Sequence, residues 1–151
     1  MNILTFDYET YYDDEYSLRK LTPIEYILDP RFEVTGLAVK PLGQPTFFLE
    51  AHEIAPFLAT LDPKNTVLIS HNALFDMCIT VWIYGFDPRL MIDTLGVCRA
   101  LIAAFVRSLS LASCAEFLGL PAKGDTIKSV KGMNAAMIKA AGLWPWRHAQ
   151  A

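Results

Sequence analysis

Several things are scarce in this sequence, and each shortage narrows what it can encode. Basic charge is not in excess: 13 Lys and Arg stand against 16 Asp and Glu, for a formal net charge of −3 and a pI near 5.5. That argues against a protein that holds nucleic acid mainly through a basic coat. It leaves room for an enzyme that meets phosphates through bound divalent cations, because such a site is acidic when empty. Cysteine is sparse too. Cys78, Cys98 and Cys114 form no CxxC pair and each lies in an apolar stretch, so they read as buried free thiols of a reducing compartment. The first residues, MNILTFDYET, lack the basic start of a signal peptide and meet an acid too early. No uncharged apolar run reaches the roughly 20 residues of a membrane helix. A soluble, cytoplasmic protein without a membrane partner is expected. Internal repeats and low-complexity segments are also lacking.

What is present is a well-furnished core. Hydrophobic residues make up 53% and charged residues 19% of 151 positions, a length suited to one domain. Met1 to Glu9 predicts a buried strand that ends in acids. Residues 11–33 look irregular and polar, with short helical turns over Ser17–Leu21 and Thr22–Leu28. Thr22 serves as N-cap of the second, Pro23 occupies its first position and Glu25 completes a capping box, before Asp29-Pro30 stops it. Phe32–Val39 and Thr46–Leu49 predict a hairpin with a longer loop. Further along come a helix over Glu53–Leu61, a buried strand over Val67–Ser70 and a helix from Leu74 to Tyr84 ended by Gly85. A strand at Leu90–Ile92 and helices over 95–106 and 108–118 follow. Lys123–Gly132 reads as a polar, basic loop, Met133–Ala141 as a weak final helix, and the sequence from Gly142 as a ragged end. This order fits an α/β mixed sheet flanked by helices.

The acids stand out by position. Asp7 and Glu9 lie two residues apart at a strand end, so both project from one face, with Tyr8 on the other. Two carboxylates placed together repel unless a cation sits between them, and a hard divalent metal prefers oxygen ligands. Two solvated acids at a strand end are the plainer alternative. Asp76 falls in the first turn of the helix after the Val67–Ser70 strand. A helix N-terminus favours an anion by roughly 0.3–1 kcal/mol, which could by itself account for an acid there. In an open α/β sheet, however, ligands gather at the carboxyl ends of strands. Asp7, Glu9 and Asp76 together therefore read as a candidate metal site.

These strings carry a resemblance. FDYET resembles the D-x-E-T first motif, and HNALFD the N-x-x-F-D second motif, of the DEDD (DnaQ-like) 3′–5′ exonucleases. The segment SLRKLTPIEYILDPRFEVTGLAV looks like the exonuclease domain of phage-type family A DNA polymerases. IDTLGVCRAL and SLSLASCAEFLGL are similar to the helices after the second motif. The resemblance implies a ribonuclease-H-like fold over a single exonuclease-like domain, residues 1–151, with 1–132 matching the family and 133–151 a divergent tail. It implies hydrolysis of terminal phosphodiesters at a single-stranded DNA 3′ end, assisted by two Mg²⁺ or Mn²⁺ ions. Asp7 would bridge the ions, Glu9 would bind one and orient the attacking water, and Asp76 would complete the shell, partly through water. Thr10 and Tyr11 would lie near the terminal nucleotide, while Asn72 and Phe75 would shape the groove. A polymerase or a second copy of the chain is an expected partner, and the host cytoplasm an expected location if the source is a phage.

The pattern also breaks. The family's fourth acid and general base come from a late helix carrying Y-x-x-x-D or H-x-x-x-x-D, and no such helix is found. The last acid is Asp125, in the basic loop, and His148 stands close to Pro145, which disfavours a helix. Asp93 reads as the N-cap of a helix, His71 as a structural histidine, Tyr8 as core, and Lys123, Lys128 and Lys131 as solvated loop residues. The apolar tail of Leu143, Trp144 and Trp146 would cover the sheet or join an interface. Two alternatives to a shortened, weakly active exonuclease therefore stay open: an inactive module that binds nucleic acid or a partner, and a half-site completed by another chain.

Overall fold

In the computed structural model, strand β1 (Asn2–Thr10) runs through the middle of a mixed sheet. The structure describes residues 1–121 and 130–143; the expectations placed on Lys123, Asp125, Lys128, Trp144, Pro145, Trp146 and His148 lie outside the described residues. Strand alternation governs β1: Leu4, Phe6 and Tyr8 are buried, while Asp7 and Glu9 face the other way and are half-buried. On one side β1 pairs antiparallel with β2 (Val34–Pro41), which continues into β3 (Phe47–Glu50) as the expected hairpin. On the other side it pairs parallel with β4 (Thr66–Ser70), and β4 pairs parallel with β5 (Leu90–Asp93). The order β3-β2-β1-β4-β5 is the α/β mixed sheet that the sequence predicts.

The helices obey local capping rules more closely than the sequence pattern specified. Helix α1 (Pro23–Leu28) has the Thr22/Glu25 capping box, with the Thr22 N–H donating to Glu25 Oε2 at 2.9 Å. Helix α2 (Ala51–Ala59) starts earlier than predicted because Glu50 and Glu53 form a second capping box. The predicted helix over 74–84 divides into α3 (Leu74–Cys78) and a π-helical turn at Ile79–Ile83. There the Thr80 hydroxyl donates to the Asp76 carbonyl at 2.7 Å, a back-bond of the kind that distorts helices. Helix α4 (Thr94–Leu101) is shorter than expected, since Ile102 leaves the helical region at φ −127°. Helix α5 (Leu111–Phe117) waits for its cap, Ser110, whose hydroxyl accepts from the Ser113 N–H at 3.2 Å. Helix α6 (Ala135–Ala140) is capped by Asn134.

Residues 11–33 are better organised than their polar composition suggested. Tyr16 and Tyr26 are buried and stacked 4.2 Å apart, and the Tyr16 hydroxyl donates to the Tyr26 carbonyl at 2.6 Å. The Arg31 guanidinium lies 4.7 Å over the Tyr16 ring. These tyrosines join Phe6, Leu37, Val39, Ile54, Leu68 and Ile79 in one apolar cluster. Helix α6 docks on the fold: Ile138 is buried, the Ala135 N–H donates to Glu33 Oε1 at 3.0 Å, and Lys139 pairs with Glu50 at 3.0 Å. Lys131 pairs with Asp14. Among the described residues no helix is long and apolar enough to cross a membrane.

Candidate active site

The site begins where two strands part. β1 and β4 pair only as far as Thr5↔Ile69, so the next polar backbone groups of β1 lose a strand partner on that side. Side chains take over. Ser70 Oγ lies 3.1 Å from the Phe6 carbonyl oxygen, and Asp76 Oδ1 accepts from the Tyr8 N–H at 3.1 Å. The two substitutes also contact each other, with Ser70 Oγ and Asp76 Oδ2 2.5 Å apart. Asp76 is thus pinned to the backbone of the residue between Asp7 and Glu9, and all three acids come to one end of the sheet.

Their electrostatics follow from this placement. Asp76 is only 6% exposed. Burial raises its pKa to about 6, and the Asp7 charge adds to the rise, against the opposing hydrogen bonds from Ser70 and the Tyr8 N–H. A protonated Asp76 would also resolve a shortage of hydrogens. The Ser70 hydroxyl has one hydrogen and two acceptors; if the carboxyl donates to Ser70 Oγ, that hydrogen is left for the Phe6 carbonyl.

The turn ahead of α3 is held from a distance. Asn72 has φ 64°, in the left-handed region that Asn tolerates better than most residues. Asp93 Oδ1 accepts from the Asn72 N–H at 2.9 Å, the Ala73 N–H at 3.2 Å and the Leu95 N–H at 3.0 Å. It caps α4, as its sequence context predicts, and braces the Asn72 turn as well. Burial works against its charge, yet the backbone donors of Ala73, Leu95, Asn72 and Gly96 hold its pKa below the usual carboxylate range. His71 is a structural histidine by its contacts. Nε2–H donates to the Leu109 carbonyl at 3.0 Å, and Nδ1 lies 3.0 Å from Thr94 Oγ1. Tyr8 is core, 5% exposed and stacked on Tyr84 at 6.0 Å.

Three of the residues expected to meet substrate converge on one that sequence reasoning missed. Tyr26 lies 3.0 Å from Thr10 Oγ1 through its hydroxyl, donates to the Tyr11 carbonyl, and meets the Phe75 ring edge-on at 5.6 Å. The Tyr11 ring stacks on Tyr16 at 6.1 Å and its hydroxyl donates to Asp13 Oδ2 at 2.8 Å. Asn72 stands apart from this group, exposed on its turn. The only sequence signal for Tyr26 was its place in a well-capped helix beside Ile27; nothing local said that it would be enclosed.

As a metal centre the site has suitable donors without a finished cage. Carboxylate oxygens suit Mg²⁺ or Mn²⁺, and Asp7 and Glu9 present theirs from one strand face. Asp76 has both oxygens engaged with Tyr8 and Ser70. Among the described residues, no group of three or more His, Cys, Asp or Glu is arranged to hold a metal ion.

No protein-family model and no curated protein matches this sequence. Solved structures do match in fold. NrnC of Brucella melitensis, in a structure with bound Mg²⁺, gives a TM-score of 0.57 at 14% identity over 98% of this chain and 74% of NrnC. The same protein bound to pGG gives 0.59 at 17% identity, covering 98% of this chain and 69% of NrnC. RNase D of Escherichia coli, an exoribonuclease involved in structured RNA processing, gives 0.54 at 15% identity, over 97% of this chain and 40% of RNase D. The family B DNA polymerase of the archaeon Pyrobaculum calidifontis gives 0.56 at 18% identity, over 81% of this chain and 19% of the polymerase. At such identities the likeness is one of fold, a mixed α/β sheet with antiparallel and parallel strands flanked by helices, and it does not single out the phage family A branch.

Proposed function

We propose that this chain is a divalent-metal-dependent 3′–5′ exonuclease that hydrolyses terminal phosphodiesters of single-stranded DNA, nearest in kind to the exonuclease domain of phage-type family A polymerases. The observation that carries this reading is the hydrogen bond from the Tyr8 N–H to Asp76, which seats the third acid on the strand segment that bears Asp7 and Glu9. Acids so crowded repel one another, and a bound cation would relieve that repulsion.

In this reading Asp7 and Glu9 would hold Mg²⁺ or Mn²⁺, and Asp76, bonded to the Tyr8 N–H, would add its carboxylate to the same site. When bound, such cations supply Lewis-acid activation of a water molecule and stabilise charge on the leaving 3′ oxygen. Glu9 orients the attacking water. Thr10 and Tyr11 lie beside the terminal nucleotide; Tyr26 holds the Thr10 hydroxyl and the Tyr11 carbonyl, and Tyr16 and Asp13 hold the Tyr11 ring, so that binding costs little ordering of side chains. Phe75 and Asn72 shape the groove, and a polymerase or a second copy of the chain is the natural partner.

The test is shortening of a 5′-labelled single-stranded DNA from its 3′ end in millimolar Mn²⁺, with an RNA of the same sequence alongside. Asp7→Ala is expected to lower the rate about 10³-fold, since metal activation supplies several kcal/mol and each ~1.4 kcal/mol is tenfold. Faster RNA cleavage would correct the substrate while keeping the reaction. A second reading, a non-catalytic nucleic-acid-binding or partner-binding module, is favoured by the engagement of both Asp76 oxygens. Absence of shortening of either strand, with no difference in Mn²⁺ binding heat between wild type and Glu9→Ala, would establish it. Light scattering distinguishes a half-site shared between two copies.

A further inference from the structure

The end of β1 is fastened to the segment that leads into α6. Past the register shift at Glu9 and Thr10, the Tyr11 N–H donates to the Glu33 carbonyl at 2.9 Å, so the backbone of Glu33 carries the ladder one residue beyond Thr10. The side chain of the same residue engages α6: Glu33 Oε1 accepts from the N–H of Ala135, the first residue of that helix, at 3.0 Å. The preceding turn adds to the connection. Gly132, at φ 74°, donates its N–H to the Tyr12 carbonyl at 2.8 Å, and Lys131 pairs with Asp14. A helix of six residues has little stability of its own, so the place of α6 depends on these bonds, on buried Ile138 and on the pair of Lys139 with Glu50.

Resting on the nuclease reading, we propose that Glu33 is a positioning residue, through which residues 131–135 set how firmly Thr10 and Tyr11 hold the terminal nucleotide. Glu33 bonds in two directions at once. Its carbonyl fixes the Tyr11 N–H, and its carboxylate fixes the start of α6. An acidic acceptor suits a backbone N–H at a helix start, where the peptide dipoles favour negative charge. While the carboxylate is engaged, the Glu33 backbone has less freedom, and so has the Tyr11 amide bonded to it. The nucleotide then meets a strand end that is already ordered, and the cost of ordering it on binding falls. Glu33 has no contact with the reacting phosphate in this arrangement, so its effect is on binding and leaves the chemical step alone.

The experiment compares wild type with Glu33→Ala, Glu33→Gln and Ala135→Pro. Binding of a 5′-labelled single-stranded DNA, and of an RNA of the same sequence, is followed by fluorescence anisotropy with Ca²⁺ in place of Mn²⁺ to slow hydrolysis. Ala135→Pro deletes the N–H that Glu33 accepts and keeps the helix, since proline suits the first helical position and Asn134 before it is already extended at ψ 172°. Glu33→Ala and Ala135→Pro should each weaken binding about 3–10-fold, whereas Glu33→Gln, which retains an acceptor oxygen, should stay close to wild type. In Mn²⁺ the same two variants should raise KM and leave kcat unchanged. Hydrogen exchange at the Tyr11 amide should quicken in both, a change that helix capping alone would not produce. Equal affinities of wild type and both variants, an unchanged Tyr11 amide, or a fall in kcat at constant KM would overturn the proposal alone. Failure of the wild type to bind either strand would overturn it together with the nuclease reading.

Discussion

Between β1 and β2 in the chain, α1 and the segment before it bury Tyr16, Tyr26 and Ile27 almost completely, in the same cluster as Phe6 and Leu37. On the β5 side, α4 has no buried residue, and Leu101, Phe105, Leu118 and Leu120 are more than half exposed. The first flank is held by removing apolar surface from water, a non-directional force that tolerates a polar-looking sequence. The second is held by directed bonds: Asp93 to the Asn72 turn, and His71 between Thr94 and Leu109. The candidate site lies between them, with Thr10, Tyr11 and Phe75 braced by the first flank and the turn ahead of α3 braced by the second.

The comparison can be tested in order of expected effect. Tyr26→Ala should be the most costly change, about 3–5 kcal/mol in denaturant unfolding, because it removes a buried ring and the contacts to Thr10, Tyr11 and Phe75 together. A loss under 1 kcal/mol would mean that the tyrosine stack is not what holds this flank. The Asp76 carboxyl should come next. Its folded pKa of about 6 lies above the ordinary value of 3.8, so its contribution to stability is fully present below pH 3.8 and is lost as pH rises through 6. Between those limits stability should fall by at most about 2–3 kcal/mol as pH increases, measured against Asp76→Asn, in which that slope should vanish. An unchanged slope in the variant would show that another group is titrating.

Asp93→Ala should cost about 1–2 kcal/mol, the range of a lost helix cap, and should speed hydrogen exchange at Asn72 and Ala73 as well as at Leu95. Faster exchange at Leu95 alone would mean that Asp93 caps α4 without bracing the turn. Smallest of all, Phe105→Ser should change stability by no more than about 0.5 kcal/mol, since Phe105 is 71% exposed. A large loss would show that the second flank relies on apolar packing after all.

Much of this was legible in the residues themselves. The capping box at Thr22 and Glu25, the hairpin and the strand carrying Asp7 and Glu9 all depend on neighbours a few positions apart. The engagement of Asp76 was not legible, because it answers a backbone group left without a strand partner where β1 and β4 separate. Tyr26 stayed hidden because enclosure is a property of the elements that gather around a side chain.

Acting alone, the sequence settled which face of β1 carries carboxylates and which carries the core, since alternation along a strand is local geometry. Only the tertiary structure decided that Asp76 would bond to Tyr8 and Ser70, and that Asp93 would brace a turn about 20 residues before it. A buried polar group must find its partner wherever the fold brings one within reach, and that choice is made in space rather than along the chain.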